Sequence, residues 1–172
     1  MAWTAPKTWA TGDNVPASDM NTYIRDNSGF LHDPPTARVF HSVDQSITDA
    51  TDTVLAFDSE RFDTDTIHGA GANTKLTATT AGKYLIVANI TWEANATGIR
   101  FCGIRLNGTT MIGQVRQPAI ASVDVDQNPT TLYQLAATDY VEVLVRQESG
   151  GALNVKVAGN VSPEFSMVWV SG

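Results

Sequence analysis

Gly82-Lys83-Tyr84-Leu85-Ile86-Val87-Ala88-Asn89-Ile90-Thr91-Trp92 is the stretch on which the fold turns. Tyr84, Ile86, Ala88, Ile90 and Trp92 share one face at a period of two, while Leu85, Val87, Asn89 and Thr91 share the other. Alternation sustained over that length marks a β-strand. Apolar residues stand on both faces at its start, so this strand is expected to be covered on both sides.

Outward from it the same grammar continues. Ile99 to Leu106 reads as the next strand, and Asn107-Gly108 is a type I′ hairpin signal leading into Thr109 to Val115. Thr130 to Ala136 and Tyr140 to Gln147 form a further pair, with Val141, Val143 and Val145 opposed to Glu142 and Arg146. Gly150-Gly151 turns the chain into Leu153 to Ala158, and Glu164 to Val170 alternates Phe165, Met167 and Trp169 against Ser166, Val168 and Val170. Upstream, Ala37 to Val43, Thr53 to Phe57 and Lys75 to Thr79 read as strands. The Asp-, Thr- and Gly-rich segment from Ser59 to Asn73 reads as loop with short extended pieces. Short strands at regular spacing with turn residues between them indicate an all-β antiparallel sandwich or jelly roll.

The first 33 residues follow another grammar. Trp3, Pro6, Trp9, Gly12 and Pro16 punctuate an extended arm. A short helix is then predicted, with Asn14 as N-cap, Pro16 in the first turn and Asp19 near the positive end. Met20, Tyr23, Ile24, Phe30 and Leu31, with Val15, recur at three- and four-residue spacing as one apolar stripe, ended by Gly29 and Pro34-Pro35. A helix this short is marginal alone in water and must pack on something. One reading has it cover the end of its own domain. The sharper one makes residues 1–33 a docking segment that binds another protein through Trp3, Trp9, Met20, Tyr23, Ile24, Phe30 and Leu31, followed by one β domain over 34–172.

Composition narrows the function. Of the 172 residues, 42% are hydrophobic and 17% charged, enough for a packed core. The net charge is −7 and the eleven basic residues are scattered singly, which speaks against phosphate-neutralising nucleic-acid binding. No apolar run reaches the roughly 20 residues of a membrane span, and the N-terminus lacks a signal-peptide pattern, so assembly in a cytoplasm is expected. The single cysteine, Cys102, sits in an apolar run and is expected to be a buried, inert thiol.

A series of landmarks runs through the β region: Phe57-Asp58, Arg61-Phe62-Asp63, Asn73, Lys75-Leu76-Thr77 and Ala81-Gly82-Lys83-Tyr84. Ile104-Arg105-Leu106-Asn107-Gly108, Asp139-Tyr140-Val141-Glu142-Val143 and the closing run Ser162, Phe165-Ser166 and Trp169 complete it. In their order these landmarks resemble the C1q/tumour-necrosis-factor-like jelly roll, from Thr36 to Gly172. The sequence departs at Thr138, where the family usually has Gly before Asp, which leaves that turn free to differ. The resemblance implies a homotrimer formed through one sheet. Leu85, Val87, Leu144, Val168 and Val170, opposite the presumed core face, are the candidate interface, with cover by the chain's own loops or N-terminal segment as the alternative. The arm, Trp3-Thr4-Ala5-Pro6-Lys7-Thr8-Trp9 with Gly12-Asp13 and Met20-Asn21-Thr22-Tyr23-Ile24-Arg25-Asp26-Asn27, resembles the opening of tailed-phage virion proteins, with Asp13 and Pro16 as mild departures.

No phosphate loop, metalloprotease helix or nucleophile elbow is present. His32, His41 and His68 lie in separate contexts without triad-like neighbours, and no catalytic residue or cofactor site is expected. Asp63 with Asp65, and Asp124 with Asp126 and Asn128, place oxygens at alternate positions. Calcium is kept open there, chiefly at the second cluster, although solvated acidic loops are the commoner outcome. Asn89, Asn95 and Asn107 begin glycosylation-like triplets, which carry no weight without a secretion signal.

The expected function is therefore structural and non-enzymatic: a trimeric capsid decoration or head-fibre protein on a phage virion surface. Its partners would be itself and a major capsid or tail protein, with no nucleic acid and no membrane. The alternative is a tail-tip or fibre module that recognises a host-surface glycan or protein through the loops Ser59 to Asn73 and Arg116 to Pro129. A depolymerase would need paired carboxylates in a cleft, and the sequence offers no way to pair them.

Overall fold

A computed structural model describes residues 3–71, 73–159 and 161–172. Ala72, inside the Ser59–Asn73 loop, lies outside the described residues. Helical turns over Ala17–Asp19, Met20–Asp26 and Asn27–His32 precede strands β1 Thr36–Phe40, β2 Gln45–Ile47, β3 Thr53–Val54, β4 Ser59–Asp63 and β5 Lys75–Thr77. There follow β6 Gly82–Trp92, β7 Ile99–Leu106, β8 Thr110–Pro118, β9 Val125–Gln127, β10 Thr130–Leu135, β11 Tyr140–Gln147, β12 Leu153–Val155 and β13 Glu164–Ser171. Strands β6, β7 and β11 begin and end where the alternation places them. The short β2 and β9 were not legible, because three residues do not establish a period.

Two antiparallel sheets face each other. In the larger, β6 has partners on both edges: Leu85 lies opposite Leu132 of β10 and Val168 of β13, and Trp92 lies opposite Val125 of β9 and Val155 of β12. Strands β1 and β4 extend the sheet beyond β13. The smaller sheet runs β3-β11-β7-β8, with β5 also on β11. Tyr84, Ile86, Ala88, Ile90 and Trp92 point inward and are buried against Cys102, Ile104, Val141, Val143 and Val145 of the smaller sheet. Burial pushes the Cys102 thiol well above its ordinary range, so it is an inert core residue.

Polar side chains also cross the core. Gln127 is buried; its Oε1 accepts from Trp92 Nε1 at 2.9 Å, and its Nε2 donates to the Arg100 carbonyl of β7 at 3.0 Å. Gln147 of β11 donates to the Ile47 carbonyl of β2 at 3.0 Å. Each glutamine thus ties one sheet to the other at the end of the sandwich where β6 finishes.

The Asn107-Gly108 turn has φ of 49° and 70°, as the type I′ signal requires. Thr138 takes φ 77°, the left-handed conformation that a glycine would adopt freely. The turn is closed by Asp139 N–H donating to the Ala136 carbonyl at 3.1 Å, and by Asp139 Oδ2 accepting from Ala136 N–H at 2.8 Å. So the turn is held at a cost in backbone strain, and Thr138→Gly is expected to stabilise by about 1 kcal/mol in urea unfolding. Gln127→Leu, which leaves Trp92 Nε1 buried without its partner, is expected to cost about 2 kcal/mol by the same measurement.

Candidate functional site

Two exposed apolar surfaces stand out against the buried core. The first is on the outer face of the larger sheet. Antiparallel register places Leu132, Leu85, Val168 and Thr36 side by side across β10, β6, β13 and β1. Leu132 is 59% exposed and Leu85 38%, and Val170 lies beyond them at 52%. The next row toward the far end of β6 is Thr130, Val87, Ser166, Arg38 and Phe62. It grades into a polar region where Arg38 and Arg61 both bond Glu164, and where Arg61 lies 3.9 Å over the Phe40 ring. An acidic chain therefore carries Arg38, Arg61 and Lys83 on the one broad face that exposes aliphatic residues.

Leu85, Val87, Val168 and Val170 fall on this face as expected. Leu144 does not: it lies on β11 of the other sheet, opposite Gly103 and Val54, and is only 6% exposed. The ring of Phe101 and the thioether of Met111 close over Gly103 beside it, and Arg116 stacks 5.4 Å from Phe101. The second sheet's outer face is thus covered by its own side chains. Alternation told which residues oppose the core, but not which of two outer faces they occupy. Leu132, which completes the exposed row, was missed because nothing in the sequence reveals that β10 pairs with β6.

The second surface is on the helical segment 17–32. Helix formation starts after Pro16, without a side-chain cap, so Asn14 is not the N-cap. Met20–Asp26 is wound as a π-helix, whose i→i+5 bonding displaces later side chains from the α-helical face. The single apolar stripe is therefore split. Tyr23, Asn27 and Phe30 turn inward, while Val15, Met20, Ile24 and Leu31 remain exposed.

The inward set binds the arm and the sandwich. Asn27 pairs with both backbone groups of Thr4, accepting from its N–H at 3.0 Å and donating to its carbonyl at 2.7 Å. Phe30 stands edge-on to Trp169 with ring centroids 4.8 Å apart, and Trp3 lies 6.0 Å from Phe30 and 6.4 Å from Trp169. Trp9 packs on Tyr23 at 6.4 Å, and Lys7 sits over Trp9 while pairing with Asp19 at 2.6 Å. Of the expected docking aromatics, Phe30 is buried within the chain, while Trp3, Trp9 and Tyr23 are half-buried and each makes a ring contact inside it. Met20, Ile24 and Leu31 are the docking candidates left free.

The acidic loops are likewise engaged. Asp124 accepts from Ala94 N–H at 3.1 Å and pairs with Lys156 at 2.6 Å, and Asp126 accepts from the Thr91 hydroxyl at 2.6 Å. Asp63 accepts from the N–H groups of Asp65, Ile67 and His68, and Thr79 donates to Asp65. Among the described residues no group of three His, Cys, Asp or Glu side chains is placed to hold a metal ion.

An open cavity of about 600 Å³ is lined by Asp58, Glu60, Asp63, His68 and Asn73. Its carboxylates already have partners: His68 lies 2.9 Å from Glu60, and Asp58 takes the Ser42 hydroxyl at 2.7 Å. Desolvation pushes the Asp58 carboxyl up, but hydrogen bonds from Ser42 and Ser59 and the nearby His41 outweigh it and hold it below its ordinary range.

No protein-family model matches the chain, and no curated protein matches it. Among solved structures, the crystal structure of murine APRIL at pH 5.0 superposes with a TM-score of 0.59 at 11% identity, covering 79% of this chain and 98% of that one. At that identity the likeness shows the fold alone, and the fold is that of a TNF-like jelly roll.

A carboxyl whose folded pKa lies below its unfolded value stabilises the protein above that unfolded value, and the gain is lost as pH falls through the folded one. Asp58→Asn is thus expected to lower the urea midpoint at neutral pH and to converge with the parent protein as pH falls through the lowered folded pKa, beneath the ordinary carboxylate range, in a titration of unfolding against pH.

Proposed function

We propose that the chain is a non-enzymatic structural subunit of a tailed-phage virion, trimeric through the β10–β6–β13 face and docked to the particle through its helical segment. The observation that carries this reading is the outer-face row of exposed Leu132 and Leu85 with half-buried Val168, which continues into exposed Val170. Flat aliphatic rows of this kind are stable in water when a second surface covers them. The jelly rolls that the chain resembles use one sheet for that purpose, and the polar residues flanking the row supply a rim. The phage assignment rests on the resemblance of the arm and helix, Trp3 through Asn27, to the opening of phage virion proteins. Docking falls to Met20, Ile24 and Leu31, the apolar helix residues with no cover of their own.

Mechanistically, three sandwiches meeting through this sheet would bring three helical segments to one end of the assembly. There they would contact neighbouring coat subunits and cross-link them. A decoration or head-fibre role needs no catalytic group and leaves the opposite loops outward. The second reading, a receptor-binding module at the tail, uses the same trimer.

Light scattering after size exclusion tests the assembly. The parent protein is expected at three times its 18.5 kDa chain mass, and Leu85→Asp with Val168→Asp as a folded single chain. A parent protein that elutes as one chain at micromolar concentration would sink the trimer. Leu144→Asp is expected to unfold the domain instead, since that residue is buried in the single chain. Ile24→Asp should leave the trimer intact and weaken association with purified particles about tenfold or more. Undiminished binding would remove the helix from the docking role.

A further inference from the structure

We propose that the turn 119–124, between β8 and β9, is a preformed contact surface for a protein segment that carries Lys or Arg beside an apolar side chain. Strand direction places this turn at the end of the sandwich opposite the helix. Strand β6 starts beside Trp169 at the helix end, and Trp92 at its far end pairs with Val125, immediately after the turn. The other loop considered for recognition, from Ser59 to Asn73, leaves β4 at the helix end. There Thr64 donates from its N–H to the Thr36 carbonyl and from its hydroxyl to the Pro34 carbonyl. With the helix on a particle, the turn 119–124 faces outward and the Ser59–Asn73 loop faces the particle. The proposal rests on the docking reading for that orientation alone.

Ile120 and Val123 are 51% and 53% exposed on this short turn. The residues on either side of this pair are anchored to neighbouring loops. Ala119 N–H donates to the Gly98 carbonyl at 3.0 Å, and Asp124 takes Ala94 N–H on one oxygen and the Lys156 ammonium on the other. The neighbouring β6–β7 loop is itself rigid. The buried Arg100 guanidinium collects the carbonyls of Asn95, Thr97 and Ile99 at 3.0 to 3.2 Å. A Cβ at Gly98 would fall 1.6 Å from the Glu148 carbonyl oxygen, so the backbones there are in direct contact. A surface ordered before binding loses little conformational freedom on contact.

Charge selects the occupant. This end carries Asp49, Asp52, Glu93, Asp124, Asp126 and Glu148. Against these six carboxylates it carries three surface cations: Arg146 paired with Asp52 and Glu148, Lys156 paired with Asp124, and Arg116 lying over the Phe101 ring. The field outside the turn is therefore negative, which favours a basic partner and repels an acidic one. Ile120 and Val123 supply the apolar contact that fixes the position of such a partner.

Selection of short random peptides on the immobilised full-length chain tests the proposal. Enriched peptides are expected to carry Lys or Arg next to Leu, Ile or Phe. Ile120→Ser with Val123→Ser is expected to weaken their binding about tenfold, and Glu93→Gln about threefold with a shallower salt dependence. Both variants should melt as the parent does and keep particle association through the helix, so that loss of peptide binding is read separately from loss of docking. Peptides without basic residues, binding indifferent to both variants, or no enrichment at all would each overturn the assignment. So would binding to a saccharide array that the Ile120/Val123 variant abolishes, because the surface would then recognise sugar rather than protein.

Discussion

Along β6 the backbone N–H and C=O groups have no route to bulk water on either edge, since β13 runs along one side and β10 with β9 along the other. A strand so flanked must pair on both sides or leave buried polar groups unsatisfied. That requirement sets the register of four neighbours at once. It places Tyr84, Ile86, Ala88, Ile90 and Trp92 in the core, and leaves Leu85 and Val87 on the outer face between Leu132, Val168 and Ser166. A one-residue slip would exchange the two sets and bury a row containing Asn89 and Lys83. The exposed aliphatic face is therefore bound to the core pattern: one register produces both.

The two ends of the sandwich are closed by different chemistry. At the helix end the closure is aromatic: Trp169 donates to the Ala81 carbonyl and receives Phe30 and Trp3 on its ring. The N-terminal segment is thus attached to the core cluster while its Met20, Ile24 and Leu31 remain outside. At the far end the closure is polar, through Gln127, Gln147 and Arg100, each of which donates to backbone carbonyls of neighbouring strands or loops. Apolar packing tolerates adjustment of a neighbouring segment, whereas a satisfied hydrogen-bond network holds loops in one arrangement. The contrast suits one end to docking and the other to presenting rigid loops.

The candidate sites follow from this division. The acidic loops brace their own backbone, with Asp63 gathering three N–H groups and Asp124 joining a backbone N–H to Lys156. Short polar side chains at alternate positions are equally suited to hold their own backbone and to hold an ion, so spacing alone does not separate the two.

The sequence by itself determined the fold class, the limits of β6, β7 and β11, the Asn107-Gly108 hairpin and the inertness of Cys102. These depend on local periodicity, on turn residues with positive φ and on an apolar neighbourhood, all of which are written in consecutive residues. Only the tertiary structure decided that Leu144 lies on a different sheet from Leu85, that Leu132 joins Leu85 and Val168, and that Trp3 packs inside the chain on Phe30 and Trp169. It also decided that the helix carries a π-wound segment dividing its apolar stripe between an arm-facing and an open side. Those outcomes depend on which strands pair and on which surface a distant aromatic meets. Such pairings form between residues far apart in the chain, and local pattern does not encode them.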